Sequence, residues 1–162
     1  MPIRRLTAAD AAVFKALRLK ALRDHPFAYG STPELDEARP LKEFAERFAA
    51  SPCWGAFEDG KLAAFAGTYR EASPKQAHKA YVWGVCTHPD FLRRGLQRAV
   101  MLALIADARG SGLSFLNLGV GAENLPARTL YESLGFTAYG TEPAALRVEG
   151  RDIDETLMTL RL

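Results

Sequence analysis

The stretch Val85-Cys86-Thr87-His88-Pro89-Asp90-Phe91-Leu92-Arg93-Arg94-Gly95-Leu96-Gln97-Arg98-Ala99-Val100-Met101 limits what this chain can fold into more than any other. Tyr81, Trp83 and Val85 alternate with smaller residues, so the segment leading in reads as a strand. Pro89 then removes a ladder donor, and from Arg94 the apolar spacing becomes helical. A helix that begins in a turn leaves its first N–H groups unpaired, with the positive end of its dipole behind them. Such a start attracts anions, and Arg93, Arg94 and Arg98 add positive charge to it. Gly95 lets the backbone approach a ligand with no Cβ in the way, and Arg94 can supply charge-assisted hydrogen bonds. Taken alone, these residues fit two readings: a pyrophosphate cradle, and a solvated basic helix start after an ordinary loop.

Composition narrows the class. A chain of 162 residues is read as one domain spanning 1–162, with a hydrophobic share of 48% and a charged share of 25% that suit a globular protein. Lys and Arg number 21 against 19 Asp and Glu, a formal charge of +2. That is too mild for the basic stripe of a nucleic-acid binder, so no nucleic-acid partner is expected. No apolar run reaches the ~20 residues of a membrane span, and no apolar signal core follows Met1-Pro2-Ile3-Arg4-Arg5. The expectation is a cytoplasmic protein with no membrane contact. Cys53 and Cys86 make no disulfide framework and suit a reduced compartment; with three scattered histidines they have no metal-ligand spacing.

In chain order, Ile3 to Leu6 reads as a strand, and Thr7 with Asp10 three residues on starts a helix carrying Val13, Leu17 and Ala21 on one face. It stops near Asp24, ahead of Pro26. Phe27 to Pro40 reads as a loop or broken helix, and Leu41 to Phe48 as a second amphipathic helix. Two strands, Trp54 to Phe57 and Leu62 to Tyr69, flank the hairpin signal Asp59-Gly60, and a polar connection follows from Glu71 to Lys79. After the strand Tyr81 to Thr87, the helix from Arg94 to about Arg109 buries Leu96, Val100, Met101 and Leu104. Leu113 to Val120 is a strand, and Asn124 and Pro126 open a short helix with Ala127, Leu130 and Leu134 on one face. Phe136 to Tyr139 and Ala145 to Val148 read as strand pieces, and Glu149-Gly150 turns the chain into a closing strand. The fold class is α/β: one mixed sheet with helices on both faces.

Two motifs then coincide. The strand ending in Val-x-x-x-Pro, an aromatic, and Arg-Gly-x-x-x-Ala into an amphipathic helix resembles the acyl-CoA-binding motif of the GCN5-related N-acetyltransferase (GNAT) family. The later Asn124-Leu125-Pro126-Ala127-Arg128-Thr129-Leu130-Tyr131-Glu132-Ser133-Leu134-Gly135-Phe136 is similar to the same family's Asn-x-x-Ala-x-x-Leu-Tyr-x-x-x-Gly-Phe segment, in the expected order. The resemblance implies a mixed, mostly antiparallel GNAT sheet and acetyl-CoA as co-substrate. Val85, Cys86 and Thr87 would serve the pantetheine arm and the thioester carbonyl, and Arg93, Arg94, Gly95, Leu96, Gln97 and Arg98 the pyrophosphate. Leu92 stands where an Arg or Gln is usual, and Gln97, where a Gly or Ala is usual, puts bulk near the phosphates.

The implied reaction is transfer of an acetyl group to a primary amine by direct attack through a tetrahedral intermediate. Tyr131 would be the general acid toward the leaving thiolate, with Asn124 holding the coenzyme arm. Neither central strand carries an Asp or Glu as base, so Glu34, Asp36 and Glu37 are the candidate acceptor-side acids, with His78 and His88 behind them. These acids lean toward a small cationic amine over a protein N-terminus, and a homodimer is the default expectation for a small enzyme. The rival reading is an acyl-CoA-binding regulatory domain without turnover.

Overall fold

The computed structural model describes residues 1–162 as a seven-stranded sheet carrying five helices. The chain runs β1 (Ile3–Arg5), α1 (Ala11–Asp24), α2 (Pro33–Ala38), α3 (Leu41–Ala50), β2 (Cys53–Glu58), β3 (Lys61–Tyr69) and β4 (Lys79–Thr87). It continues through α4 (Leu96–Gly110), β5 (Phe115–Gly121), α5 (Leu125–Ser133), β6 (Thr137–Val148) and β7 (Arg151–Arg161). Strand order is β1-β2-β3-β4-β5-β7-β6, and every neighbouring pair is antiparallel except β4 and β5.

That parallel pair positions the site. β4 and β5 are in register only over Lys79–Tyr81 against Phe115–Asn117, and beyond Tyr81 the pairing ends. A bulge lies in the part of β4 that has left β5 and still pairs with β3: Gly67 faces Trp83 and Phe65 faces Cys86, so Gly84 and Val85 together oppose Ala66. Gly84 takes φ +71, which L side chains rarely adopt. The extra residue inverts the alternation of the strand. Ala80 and Val82 belong to the core under α4 and α5, Cys86 belongs to the opposite core, and Val85 packs against the first. The sequence expectation of one face through Tyr81, Trp83 and Val85 is therefore broken by one inserted residue.

The two faces carry separate cores. Val100, Met101 and Leu104 of α4 and Tyr131 of α5 pack on Val82, Leu116, Leu118 and Met158. On the other face Phe14 of α1 lies 4.5 Å from the Phe65 ring, 5.0 Å from Phe48 and 5.5 Å from Phe44. Phe14 takes the buried position expected for Val13, which is 46% exposed. A 3-10 turn at Ala8–Asp10 precedes α1, and its tighter winding shifts the helical phase. The Phe27 to Pro40 segment contains α2, begun by Pro33 in the first turn and by Thr32, whose hydroxyl accepts from the Leu35 N–H at 3.2 Å. Both expected turns are tight hairpins with left-handed pairs, Asp59-Gly60 (φ 50 and 74) and Glu149-Gly150 (φ 52 and 76). The two expected strand pieces after Phe136 are one strand, β6, whose register shifts are absorbed while β7 pairs along it.

Asp10 ties the entry together. Its carboxylate accepts from the Thr7 N–H at 2.8 Å and from both ends of the Arg4 guanidinium at 2.8 and 2.9 Å. The Arg4 hydrogen bonds, against the opposing effect of burial, hold its carboxyl at about 2, below the ordinary 3.8. A lowered folded-state pKa means stability that is present above pH 3.8 and is lost as pH falls toward 2. Because Arg4 is half-exposed, Asp10→Asn is expected to cost only about 1 kcal/mol at pH 7, read as a lower urea midpoint. The same variant flattens the pH dependence of that midpoint between pH 4 and 2.

Candidate active site

Where β4 and β5 part, a cavity of ≈ 400 Å³ passes through the sheet. Leu17, Lys20, Ala21, Asp24, His25 and Tyr29 line its α1 end; Gln97, Asn124, Pro126, Ala127, Leu130 and Tyr131 line its α4 and α5 end. Between them lie Val82 to Thr87 of β4 and Leu118 to Gly121 of β5.

The His88 N–H donates to the Ala63 carbonyl at 2.7 Å, so His88 and, by alternation, Cys86 direct their backbone groups toward β3. Val85 and Thr87 therefore direct theirs into the seam. The Val85 carbonyl has one partner there, the Tyr29 hydroxyl, which donates to it at 3.1 Å. Burial raises the Tyr29 phenol well above its ordinary pKa, so it remains a donor.

At one end of the cavity α4 begins. Gly95 is left-handed (φ 73), no side chain caps the helix, and the first intrahelical bond runs from the Ala99 N–H to the Gly95 carbonyl at 3.1 Å. The N–H groups of Leu96, Gln97 and Arg98 consequently have no helical acceptor. Arg93 is also left-handed (φ 58), and left-handed residues on either side of Arg94 curl the backbone N–H groups into a concave rim. Nothing lies within 4 Å of where a Gly95 Cβ would stand, so the rim is open. Arg94 donates to Glu58 at 3.1 Å and Arg98 to the Ser133 hydroxyl at 2.8 Å, which holds both cations beside the rim. Gln97 does not project its bulk freely: its amide accepts from the Thr87 hydroxyl at 3.1 Å and donates to the Phe65 carbonyl at 3.4 Å.

Tyr131 is buried in α5, 5.9 Å from the Phe136 ring, and lines the cavity. Burial alone raises its pKa, so it stays a protonated phenol. Asn124 caps α5, its side chain accepting from the Ala127 N–H at 3.3 Å, and also faces the cavity. Burial pushes the Cys86 thiol up to about 11, which leaves it a poor nucleophile.

Of the residues singled out in the sequence, Val85, Cys86, Thr87, Gln97, Asn124 and Tyr131 meet in this cavity. Arg93, Arg94, Gly95, Leu96 and Arg98 form the α4 rim beyond it, Leu96 offering only its N–H because its side chain is buried in the core. Glu34, Asp36 and Glu37 do not line the cavity. Asp36 is buried, accepting from Arg18 at 2.9 Å, Ser31 at 2.9 Å and Arg39 at 3.1 Å. Glu37 pairs with Arg23 at 3.1 Å on the surface, and Glu34 is exposed. The reason is α2, which turns its acids toward α1 and solvent. His78 lies against Phe115, and His88 caps a 3-10 turn by accepting from the Asp90 N–H at 3.2 Å. His25, Asp24, Lys20 and Tyr29 line the cavity instead; their only sequence signal is their position at the helix stop before Pro26.

Residues 16–136 match the model of the Acetyltransferase (GNAT) family. The [ribosomal protein bS18]-alanine N-acetyltransferase of Escherichia coli K12 is 39% identical over 79 residues, 49% of this chain and 50% of the relative. A mycothiol acetyltransferase from Beutenbergia cavernae is 32% identical over 131 residues, 81% of this chain and 42% of the relative. The chain thus spans about half the length of the curated relatives it matches. Among solved structures, the acetyltransferase yncA of Salmonella typhimurium with its cofactor acetyl-CoA superposes with a TM-score of 0.89 at 25% identity, covering 100% of this chain and 94% of that one. A ribosomal-protein-alanine N-acetyltransferase from Brucella melitensis has a TM-score of 0.87 at 21% identity over the full length of both, a likeness of fold. With both motifs on the split strand and the two helices they require, and a family match across most of its length, this chain belongs to the Acetyltransferase (GNAT) family.

Proposed function

We propose that residues 1–162 act as one N-acetyltransferase domain that moves the acetyl group of acetyl-CoA to a primary amine by direct attack. The observation that carries this is the cavity through the split sheet, with a free β4 backbone edge along it, uncapped N–H groups at one end and a phenol inside. The fit to acetyl-CoA is chemical. An anionic pyrophosphate matches the open α4 rim, and an amide-bearing pantetheine arm matches the Val85 and Thr87 backbone groups that no strand pairs, Val85 by displacing the Tyr29 hydroxyl from its carbonyl. The co-substrate supplies an activated thioester carbonyl. The chain orients it along β4, excludes water with Leu118, Val120 and Leu130, and offers Tyr131 as the proton donor to the leaving sulfur. The protonated Cys86 thiol argues for direct transfer to the amine over an acyl-cysteine.

The acceptor enters from the α1 end, beside Asp24, His25 and Tyr29. One relative is named as an alanine N-acetyltransferase of a ribosomal protein, which supports an amine as acceptor type; Asp24 faces this end as an ion pair with Lys20 at 2.9 Å. Calorimetric titration with acetyl-CoA, repeated with an analogue lacking the pyrophosphate, tests the cradle; thiol release on a panel of amines tests transfer. Binding that needs the pyrophosphate, with thiol release, supports the reading. Binding without release on any amine favours a regulatory acyl-CoA domain. Gly95→Val forces a β-branched residue into the left-handed region, so it is expected to weaken acetyl-CoA binding by about tenfold or more through a displaced rim, while circular dichroism stays native.

A further inference from the structure

β5 presents glycine at residue 119, and the space where its side chain would stand is filled by the Glu155 carboxylate reaching across from β7. Strand alternation fixes the face. Leu118, Val120 and Met158 lie in the core under α4 and α5, so Gly119, Gly121 and Glu155 turn to the α1 face, where the amine enters. Gly119 and Gly121 line the cavity, and neither gives its wall a titratable side chain. The Glu155 carboxylate thus lies against the cavity wall at Gly119, while Asp24 of α1, the acid that lines this end directly, is paired with Lys20 at 2.9 Å.

We infer that Glu155 is the base that takes the proton from the acceptor amine. The inference rests on the transferase reading above. In the step, Glu155 removes one proton from the ammonium and passes it to solvent, and the free amine attacks the thioester carbon. The new C–N bond forms, the same carboxylate takes the second nitrogen proton, and the C–S bond breaks as Tyr131 protonates the departing sulfur. Glu155 gives this second proton to solvent and Tyr131 recovers its own from solvent, so one proton is released, net, per ammonium consumed. Burial first, then the negative charge of Glu142 opposite on β6, raises the Glu155 pKa above its ordinary value and makes it a stronger base. Gly119 and Gly121 bring no charge from β5, and across the cavity α1 brings Lys20, Asp24 and His25.

The test is kcat/KM against pH for the full chain with acetyl-CoA and three amine probes: spermidine, L-alanine and an Ala-initiated peptide. Glu155→Gln is expected to lower kcat/KM roughly 10²-fold and to remove the acid limb assigned to Glu155, with acetyl-CoA affinity unchanged. Glu142→Gln is expected to move that limb to lower pH and keep the high-pH rate. Gly119→Ala, whose Cβ displaces the carboxylate, is expected to lower kcat/KM about tenfold. Wild-type turnover matched by Glu155→Gln with the same acid limb overturns the base and leaves the transferase reading standing. Acetyl-CoA binding with no wild-type turnover on any probe overturns the transferase reading and the base with it.

Discussion

Tyr131→Phe is expected to lower kcat about 10²–10⁴-fold while the dissociation constant for acetyl-CoA stays within about twofold of wild type. The physical case rests on how little else the substitution removes. Burial is the only influence on the Tyr131 pKa, with no hydrogen bond from the protein acting on the phenol, and Phe preserves the ring that packs beside Phe136. Stability should therefore hardly change, and a lost rate reports on the lost proton. A buried phenol is a weaker acid than a solvated one, yet the departing thiolate is desolvated in the same cavity and its own proton affinity rises with it. The two shifts offset each other, which keeps transfer feasible. Single-turnover thiol release at saturating acetyl-CoA checks this; an unchanged rate would mean that solvent protonates the sulfur.

The second large effect concerns stability. Asp36→Ala is expected to cost about 3–5 kcal/mol, because it strands the Arg18 guanidinium in the interior. The side chains of this pair are 8% and 2% exposed, and Arg18 Nη1 already has no hydrogen-bond partner. Burial by itself would raise the Asp36 pKa; the hydrogen bonds from Arg18 and Ser31 and the charge of Arg39 outweigh it and lower the pKa overall. The pair therefore contributes stability above the ordinary carboxyl range and loses it as pH falls through the lowered value. Urea unfolding at pH 7 measures the cost. The double variant Arg18→Met/Asp36→Leu should be less destabilised than Asp36→Ala, since no charge is left unpaired. A stable Asp36→Ala protein with a raised KM for the amine would return Asp36 to the acceptor site.

Asp36 also marks where the sequence stopped being legible. The two motifs needed only local order, and local rules read them well: Pro89 ending a strand, a glycine before an uncapped helix, Asn124 and Pro126 opening another. Both hairpins were equally readable, since left-handed pairs leave a compositional trace at Asp59-Gly60 and Glu149-Gly150. Three-dimensional neighbours leave none. Nothing in Glu34-Leu35-Asp36-Glu37 says which acid meets an arginine 18 positions earlier, and nothing beside Gly119 says that a carboxylate 36 positions later fills its side-chain space. The bulge at Gly84 was hidden for the same reason: an inserted residue is visible only against the partner strand.

The parting of β4 from β5 has a cost that catalysis does not explain. Free strand edges normally sit at the outside of a sheet, where charge, proline or twist discourages another chain from pairing with them. This protein keeps two such edges at the middle of its sheet, and the gap proposed to take an extended amide-bearing arm has the right shape for a foreign β-strand. Tyr29 works against that intruder, because its hydroxyl occupies the Val85 carbonyl on which a strand would pair. A residue that reads as a lining of the cavity is thus also a guard on it, to be displaced only by a guest that offers the carbonyl a better donor.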